Sequence, residues 1–275
     1  RFSCNAIIQS SSDAFRIINE ISSIMRCNPI WTNGSISLAQ DRPTDSSYLF
    51  NLSNVAEDGF SYTGSSLKQR NTIISVAYYN MDAQDLDYEV VEADNTTKNK
   101  FGITNKQVKA FGCTSRGQAQ RYGKSILFSE QNESELISFS TSIDAGSVVR
   151  VGAVIEVNDP VRAGARRGGQ VKAATTTKIT MDAIGDTTLP SLTDSPKISV
   201  VLPDGKVEQR TITSYSNSNE ANLSSALSQT PSVGSIYLLT STSLETQKFR
   251  VISIEENDGT SYTIQGLTYL EGKYD

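Results

Sequence analysis

The chain has 275 residues, of which 37% are apolar, and a formal net charge of −5. That length allows one large domain or two ordinary ones, and the acidic balance argues against a general nucleic-acid binder, which carries a basic footprint. Histidine is absent throughout, which removes histidine-based catalytic triads and histidine-ligated zinc sites.

Residues 10–27 predict the first helix: Ala14, Ile17, Ile18, Ile21, Ile24 and Met25 recur at helical spacing. A Ser-Ser-Ser-Asp entry over 10–13 offers N-caps, and Pro29 is the predicted stop. Asn33-Gly34 between alternating apolar positions predicts a hairpin with a two-residue turn. Its Trp31 and Ile36 are expected to face the helix as core anchors. Asp41-Arg42-Pro43-Thr44-Asp45 reads as a charged turn and 46–60 as irregular. Strands are predicted over Phe60–Thr63, Thr72–Tyr79 and Tyr88–Glu92. The loop with Asp82, Asp85 and Asp87 lacks the glycine and terminal glutamate of a calcium loop. Ala93–Lys100 reads as a polar linker. The fold class read from these patterns is α+β and β-rich, with a mixed α+β domain at 1–110 and a helix followed by a small barrel-like β domain at 111–275.

Phe111-Gly-Cys-Thr-Ser-Arg-Gly-Gln-Ala119 opens the second part. Ser115 and Gln118 have the spacing of a capping box, ahead of a helix running to about Gln131. Glu135–Thr141 and Val148–Val157 follow as strands around an Asp144-Ala-Gly146 turn. A basic segment comes next, with Arg162, Arg166, Arg167 and Lys172 among Gly164, Gly168 and Gly169. It lacks the glycine, lysine and hydroxyl order of a phosphate loop, so a solvated loop is the plain reading. Val171–Met181 reads as one or two strands. Lys197–Leu202 and Val207–Ile212 form a hairpin through Pro203-Asp204-Gly205. Ser214–Ser232 is a low-complexity stretch with a short helix predicted near Ala221–Leu227. Ile236–Leu239, Lys248–Glu255 and Tyr262–Tyr269 complete the strands, the last two joined through Asn257-Asp258-Gly259.

Cys4, Cys27 and Cys113 are odd in number and lack metal-ligand spacing. Buried free thiols are the expected state, with a Cys4–Cys27 meeting across the first helix as the other arrangement. The chain begins at Arg1 without an initiator methionine and has no charged-then-apolar leader and no run of about 18 apolar residues. It reads as a piece of a longer polypeptide without a membrane span.

Three segments carry a family resemblance. Phe111–Ala119, Phe249–Ile264, and Asn33-Gly34 followed by Gln40-Asp41-Arg42-Pro43-Thr44-Asp45 resemble the central tail tip proteins of lambda-type long-tailed phages. The segments lie in the family's order, and the likeness is weakest between about 185 and 245. The resemblance implies a structural virion component at the distal end of a phage tail, assembled in the host cytoplasm. It implies a homotrimeric hub that closes the tail tube against neighbouring tail tip and tube proteins. Host receptor contact would fall to regions outside this chain, and DNA would pass only as cargo, so no binding of duplex DNA at physiological salt is expected.

Two other function classes compete. A receptor-binding module would use Trp31 and the polar stretch 214–232. A carboxylate-based cell-envelope hydrolase would need two positioned acids in a cleft, and the acidic turn Glu255, Glu256 and Asp258 does not supply such a pair by itself. The expectation is no enzyme, no catalytic, cofactor-binding or metal residue, and no cofactor.

Overall fold

The computed structural model describes residues 2–8, 13–32, 34–64, 70–163, 168–182, 189–217, 219–241, 246–257 and 259–274, without the side chains of Thr32 and Ala163. Contacts divide the chain into two compact units, each assembled from separate segments: Arg1–Pro43, Gly64–Glu135 and Leu270–Asp275 in one, Thr44–Thr63 and Leu136–Tyr269 in the other. The architecture is α+β and rich in strands.

The first unit begins with helix α1 (Ala14–Ile24), whose entry is capped by Asp13 Oδ1 accepting the Phe15 N–H at 3.0 Å. The helix ends before Pro29. Arg26 adopts φ +55°, which no α-helix continues, and Pro29 lies inside strand β1 (Cys27–Thr32), opposite Leu38 of β2 (Ser35–Gln40). The predicted hairpin is present. Gly34 takes φ +75° at its turn, and Asn33 lies outside the described residues.

Trp31 and Ile36 form a direct cross-strand pair, as the hairpin register requires, but they do not pack as a core. Trp31 is 67% exposed and Ile36 38%, because burial on this ribbon is confined to its base at Cys27.

A three-stranded sheet of β5 (Ile73–Asn80), β6 (Asp85–Glu92) and β7 (Asn105–Lys109) runs in the order β6-β5-β7. Between β6 and β7 the expected linker is helix α2 (Asn95–Phe101). Asp94 Oδ1 caps it through the Thr97 N–H at 3.2 Å, and Gly102 ends it at φ +83°. It buries no residue, so it leaves no apolar period to read.

Helix α3 (Arg116–Asn132) crosses one face of this sheet, burying Ala119 and Leu127 against Ile74, Val76 and Val91. Gly123 allows the close approach: a Cβ there would lie 2.8 Å from Val91 Cγ2 and 3.0 Å from Val76 Cγ2.

The second unit contains a six-stranded sheet in the order β3-β9-β16-β17-β8-β4. Its strands are β3 (Ser46–Phe50), β4 (Ser61–Gly64), β8 (Glu135–Ser142), β9 (Val154–Val157), β16 (Gln247–Asn257) and β17 (Ser261–Thr268). Residues 46–50, read as irregular, are a strand with Leu49 and Phe50 fully buried. The expected turn at 144–146 is instead a short helix, α4 (Ile143–Val148). Tyr262 lies directly on Gly146, where a Cβ would come within 2.4 Å of the ring.

The same unit holds a closed six-stranded barrel. It is built from β10 (Gly168–Ala174), β11 (Lys178–Met181), β12 (Lys197–Val201), β13 (Val207–Asn217), β14 (Glu220–Leu223) and β15 (Ile236–Thr240), in the order β10-β11-β14-β13-β12-β15. The helix predicted near Ala221–Leu227 is absent; β14 occupies its first half. Ala221 and Leu223 alternate into the barrel, while Asn222 points out and donates to Ser214 Oγ at 3.0 Å and Ser216 Oγ at 2.8 Å. The Ser/Asn-rich composition is thus the wet face of an antiparallel pair. Val171, Ile179, Met181, Ile198, Ile212 and Tyr237 fill the interior, so the barrel is a packed core and not a pore. Short α5 (Pro160–Ala163) precedes β10. Among the described residues no helix is long and apolar enough to cross a membrane.

Candidate functional site

The start of α3 gathers several long-range polar contacts within the first unit. Ser115 is its N-cap residue, but its side chain makes no capping bond. Gln118, expected to complete a capping box, turns instead to the N-terminal segment. Its Oε1 accepts from the Ser3 N–H and the Ser3 hydroxyl, both at 3.1 Å, and its Nε2 donates to the Ser3 carbonyl at 3.0 Å. The side-chain amide thereby pairs with an extended backbone as a strand would, and only 6% of Gln118 remains exposed.

Two further bonds fasten the segment: the Asn5 N–H to the Gly112 carbonyl at 2.8 Å, and Asn5 Nδ2 to Thr114 Oγ1 at 2.8 Å. Gly112 sits at φ +59°, and a Cβ there would meet Cys4 Sγ at 2.6 Å. Phe2, Ile24, Phe111, Cys113 and Tyr122 line a cavity of about 10 Å³ beside this strap, which holds about one water and no substrate. All three cysteines are free. Cys27 and Cys113 are buried as expected, whereas Cys4 is exposed, and burial pushes the Cys27 thiol up.

The nearest approach to a paired-acid site is on β6. Asp87 and Glu89 point to the face that α3 covers. Asp87 accepts from the Tyr88 N–H at 2.8 Å and from Asn80 Nδ2 and Tyr78 Oη at 3.1 Å each. Glu89 accepts from Arg116 Nε at 2.6 Å. The Tyr88 backbone donor, then the Asn80 and Tyr78 side chains, hold the Asp87 carboxyl below its ordinary range. Burial, then the bond to Asp87, raises the Tyr78 phenol. A general acid working near neutrality needs the opposite shift, so Asp87 is poorly suited to the hydrolase role.

In the Asp-rich loop, Asn80 Oδ1 accepts the Asp82 N–H at 3.0 Å, an Asx-type turn. Among the described residues no group of three or more His, Cys, Asp or Glu is placed to hold a metal.

Hydrogen bonds also lower Asp94 (from Thr97), Asp204 (from Lys206) and Glu208 (from Ser228). A carboxylate depressed in the folded state contributes stability above its unfolded pKa and loses it as pH falls through the folded value. With no histidine in the chain, melting temperature is expected to be flat from about pH 5 to 8 and to fall below about pH 4. Thermal melts across that range check this, and Asp87→Asn should make the acid fall shallower.

Of the basic segment, Arg162 and Lys172 lie among the described residues. The Arg162 guanidinium lies 3.4 Å from the Tyr62 ring centroid, a stacked cation–π contact. Lys172 points outward from β10. Gly164, Arg166 and Arg167 lie outside the described residues, as does Asp258 of the acidic turn.

Comparison with known proteins decides the family: the profile of the phage tail protein family matches residues 13–171. The chain belongs to that family. Two curated relatives of this tail protein align along its whole length, each described as Tip attachment protein J: one from Escherichia phage SECphi27 at 28% identity, one from Escherichia phage SECphi4 at 27%. The alignment spans 23% and 24% of those relatives, so the tail protein chain covers about a quarter of their length. A solved tail protein from Neisseria meningitidis MC58 superposes with a TM-score of 0.46 at 9% identity, covering 98% of this chain and 60% of that one.

Two of the segments that carried the resemblance now have a place: Phe111–Ala119 is the junction into α3, and Phe249–Ile264 lies within the β16–β17 hairpin. The tail protein's exposed apolar rows at Trp31 and along β6 were not read from the sequence, because alternation shows that a row exists and not what covers it.

Proposed function

We propose that this chain is part of the central hub at the distal end of a phage tail, a structural virion component with no catalytic, cofactor or metal role. The observation that carries the reading is whole-length alignment to two proteins described as tip attachment proteins, within a chain that belongs to the phage tail protein family. In this reading three copies surround the tail axis, close the tube against neighbouring tail tip and tube proteins, and open for DNA on ejection.

The packed barrel interior constrains how DNA passes. Tyr237, Met181 and their neighbours leave no bore within a single barrel, so the channel lies between copies. A chain of net charge −5 offers the phosphate backbone few counterion-releasing contacts, which suits cargo that must slide. Attachment to the host receptor falls to parts of the longer polypeptide outside this chain.

Immunogold labelling of purified particles with antibody against the chain tests the reading. Gold confined to the distal tail end is the expected result. Particles that stay unlabelled after mild disruption, with the antigen soluble in the host, would overturn it.

A further inference from the structure

The N-terminal segment and the stretch from Gly112 to Gln118 run side by side in opposite directions. Ser3 pairs with the Gln118 side chain. Asn5, further along, donates from its N–H to the Gly112 carbonyl and from Nδ2 to Thr114 Oγ1. Residue numbers rise on one side as they fall on the other, which is the order of an antiparallel pair. With Asn5 opposite Gly112, the next residues to face each other are Cys4 and Cys113. Facing Cα atoms in an antiparallel pair lie about 4.5–5.5 Å apart, within the range of about 4.4–6.8 Å that a disulfide spans.

Both thiols are turned toward this pairing. Cys4 Sγ lies 2.6 Å from where a Cβ of Gly112 would stand, although the residue as a whole is exposed. Cys113 is 2% exposed and lines the small cavity together with Phe2. Phe2 sits two residues before Cys4 and therefore on the same face of an extended chain. Cys113 Sγ donates to the Ser115 carbonyl at 3.3 Å, and the Cys113 carbonyl accepts the Tyr79 N–H at 3.0 Å. Cys113 is thus anchored to the sheet, whereas residues 2–8 are all exposed, which makes the strap the partner that opens first.

We propose that Cys4 and Cys113 form a redox latch: oxidation joins them in a disulfide that locks the strap across the start of α3, and reduction frees it. Glutathione disulfide is a sufficient oxidant. The Cys4 thiolate attacks one glutathione sulfur and releases the first glutathione thiolate. The Cys113 thiolate then attacks the Cys4 sulfur of the mixed disulfide and releases the second. The two protons lost by the cysteines end on the two glutathiones, which carry away the electron pair. Exposure sets the order, with Cys4 attacking and Cys113 resolving. Cys27 stands apart, its Sγ donating to the Met25 carbonyl at 3.6 Å. A chain made in a reducing cytoplasm and carried out in a particle would close the latch on release. That timing rests on the hub reading above; the chemistry does not.

Holding the native chain in a glutathione buffer near pH 8, with about 1 mM of the disulfide form, tests this. Free thiols are then blocked with N-ethylmaleimide and the unreduced peptides mapped by mass spectrometry. Peptides joined through Cys4 and Cys113 are expected, with Cys27 recovered unlinked. Hydrogen exchange at the Ser3 and Asn5 amides should slow at least about tenfold on oxidation and recover with reductant. Asn5→Pro removes the N–H bonded to Gly112 from an exposed strap. It should slow closure about tenfold, while Cys4 still takes up glutathione.

A Cys4–Cys27 link, a wild type that stops at the glutathione adduct, exchange unchanged by closure, or an Asn5→Pro chain that closes as fast as wild type each overturns the proposal. The mapping uses the chain alone, so any of these results leaves the hub reading standing. Particles that gold fails to label would refute the hub reading and leave the latch.

Discussion

Lys273→Met is expected to lower stability by about 3–5 kcal/mol, the usual cost of removing one partner from a buried ion pair. The Lys273 side chain is 7% exposed and sits between two carboxylates, Asp41 Oδ2 at 2.6 Å and Glu133 Oε2 at 2.8 Å; Glu133 is itself 6% exposed. Tyr274 Oη donates to the other oxygen of Asp41. Without the ammonium, two acids remain close together in a site that water reaches poorly. Urea unfolding measures the loss. Adding Asp41→Asn and Glu133→Gln to Lys273→Met should restore most of it, because the neutral amides remove the repulsion and the uncompensated charge. If the triple variant is as unstable as the single one, the ion pairs are not what holds this corner.

The ion cluster also fastens residues 270–274 into the first unit after the chain has completed the second. Nothing local announces this. Lys273 lies in a short stretch between glycine and tyrosine, and its partners are residues 41 and 133. The charged turn at 41–45 was visible as a turn with an acid in it, but the lysine that neutralises Asp41 comes from the far end of the sequence.

The same distinction separates what the sequence revealed from what it concealed. Gly34 and the turn at 203–205 lie in hairpins whose strands are adjacent in the chain, so turn chemistry alone was enough to place β1, β2, β12 and β13. α3 declared itself through Ala119, Tyr122, Ile126 and Leu127, which recur at helical spacing. β3 did not, because its partner is β9 and the pairing of Ser46 with Val154 is parallel and distant. α2 has a cap and a terminal glycine but no buried residue, and all of it but Phe101 was taken for linker. The capping box failed for a related reason. Its spacing is real, but an incoming extended segment competes for the Gln118 amide, and Ser3 wins because it offers a donor and an acceptor in strand-like register. At Trp31 the hairpin and its register were legible and the exposure of the ring was not, since alternation shows that an apolar row exists and not what covers it.

The second large effect is expected at Tyr237, the largest of the fully buried side chains among the described residues. It fills the barrel from β15, and its hydroxyl donates to Asp182 Oδ1 at 2.8 Å. Asp182 is packed tightly against β10: a Cβ on Gly169 would lie 2.1 Å from that same oxygen. Tyr237→Ala should cost about 3–5 kcal/mol through the cavity it leaves among Val171, Met181 and Leu239. Tyr237→Phe keeps the ring and removes only the hydroxyl, so it should cost about 1–2 kcal/mol as the half-buried Asp182 loses a donor. Urea midpoints for the pair separate packing from hydrogen bonding. Equal losses would mean that the barrel depends on the Asp182 bond more than on its filling. A small loss for Tyr237→Ala would mean that the six strands collapse around the gap, which a closed barrel whose strand pairings are fixed all round should resist.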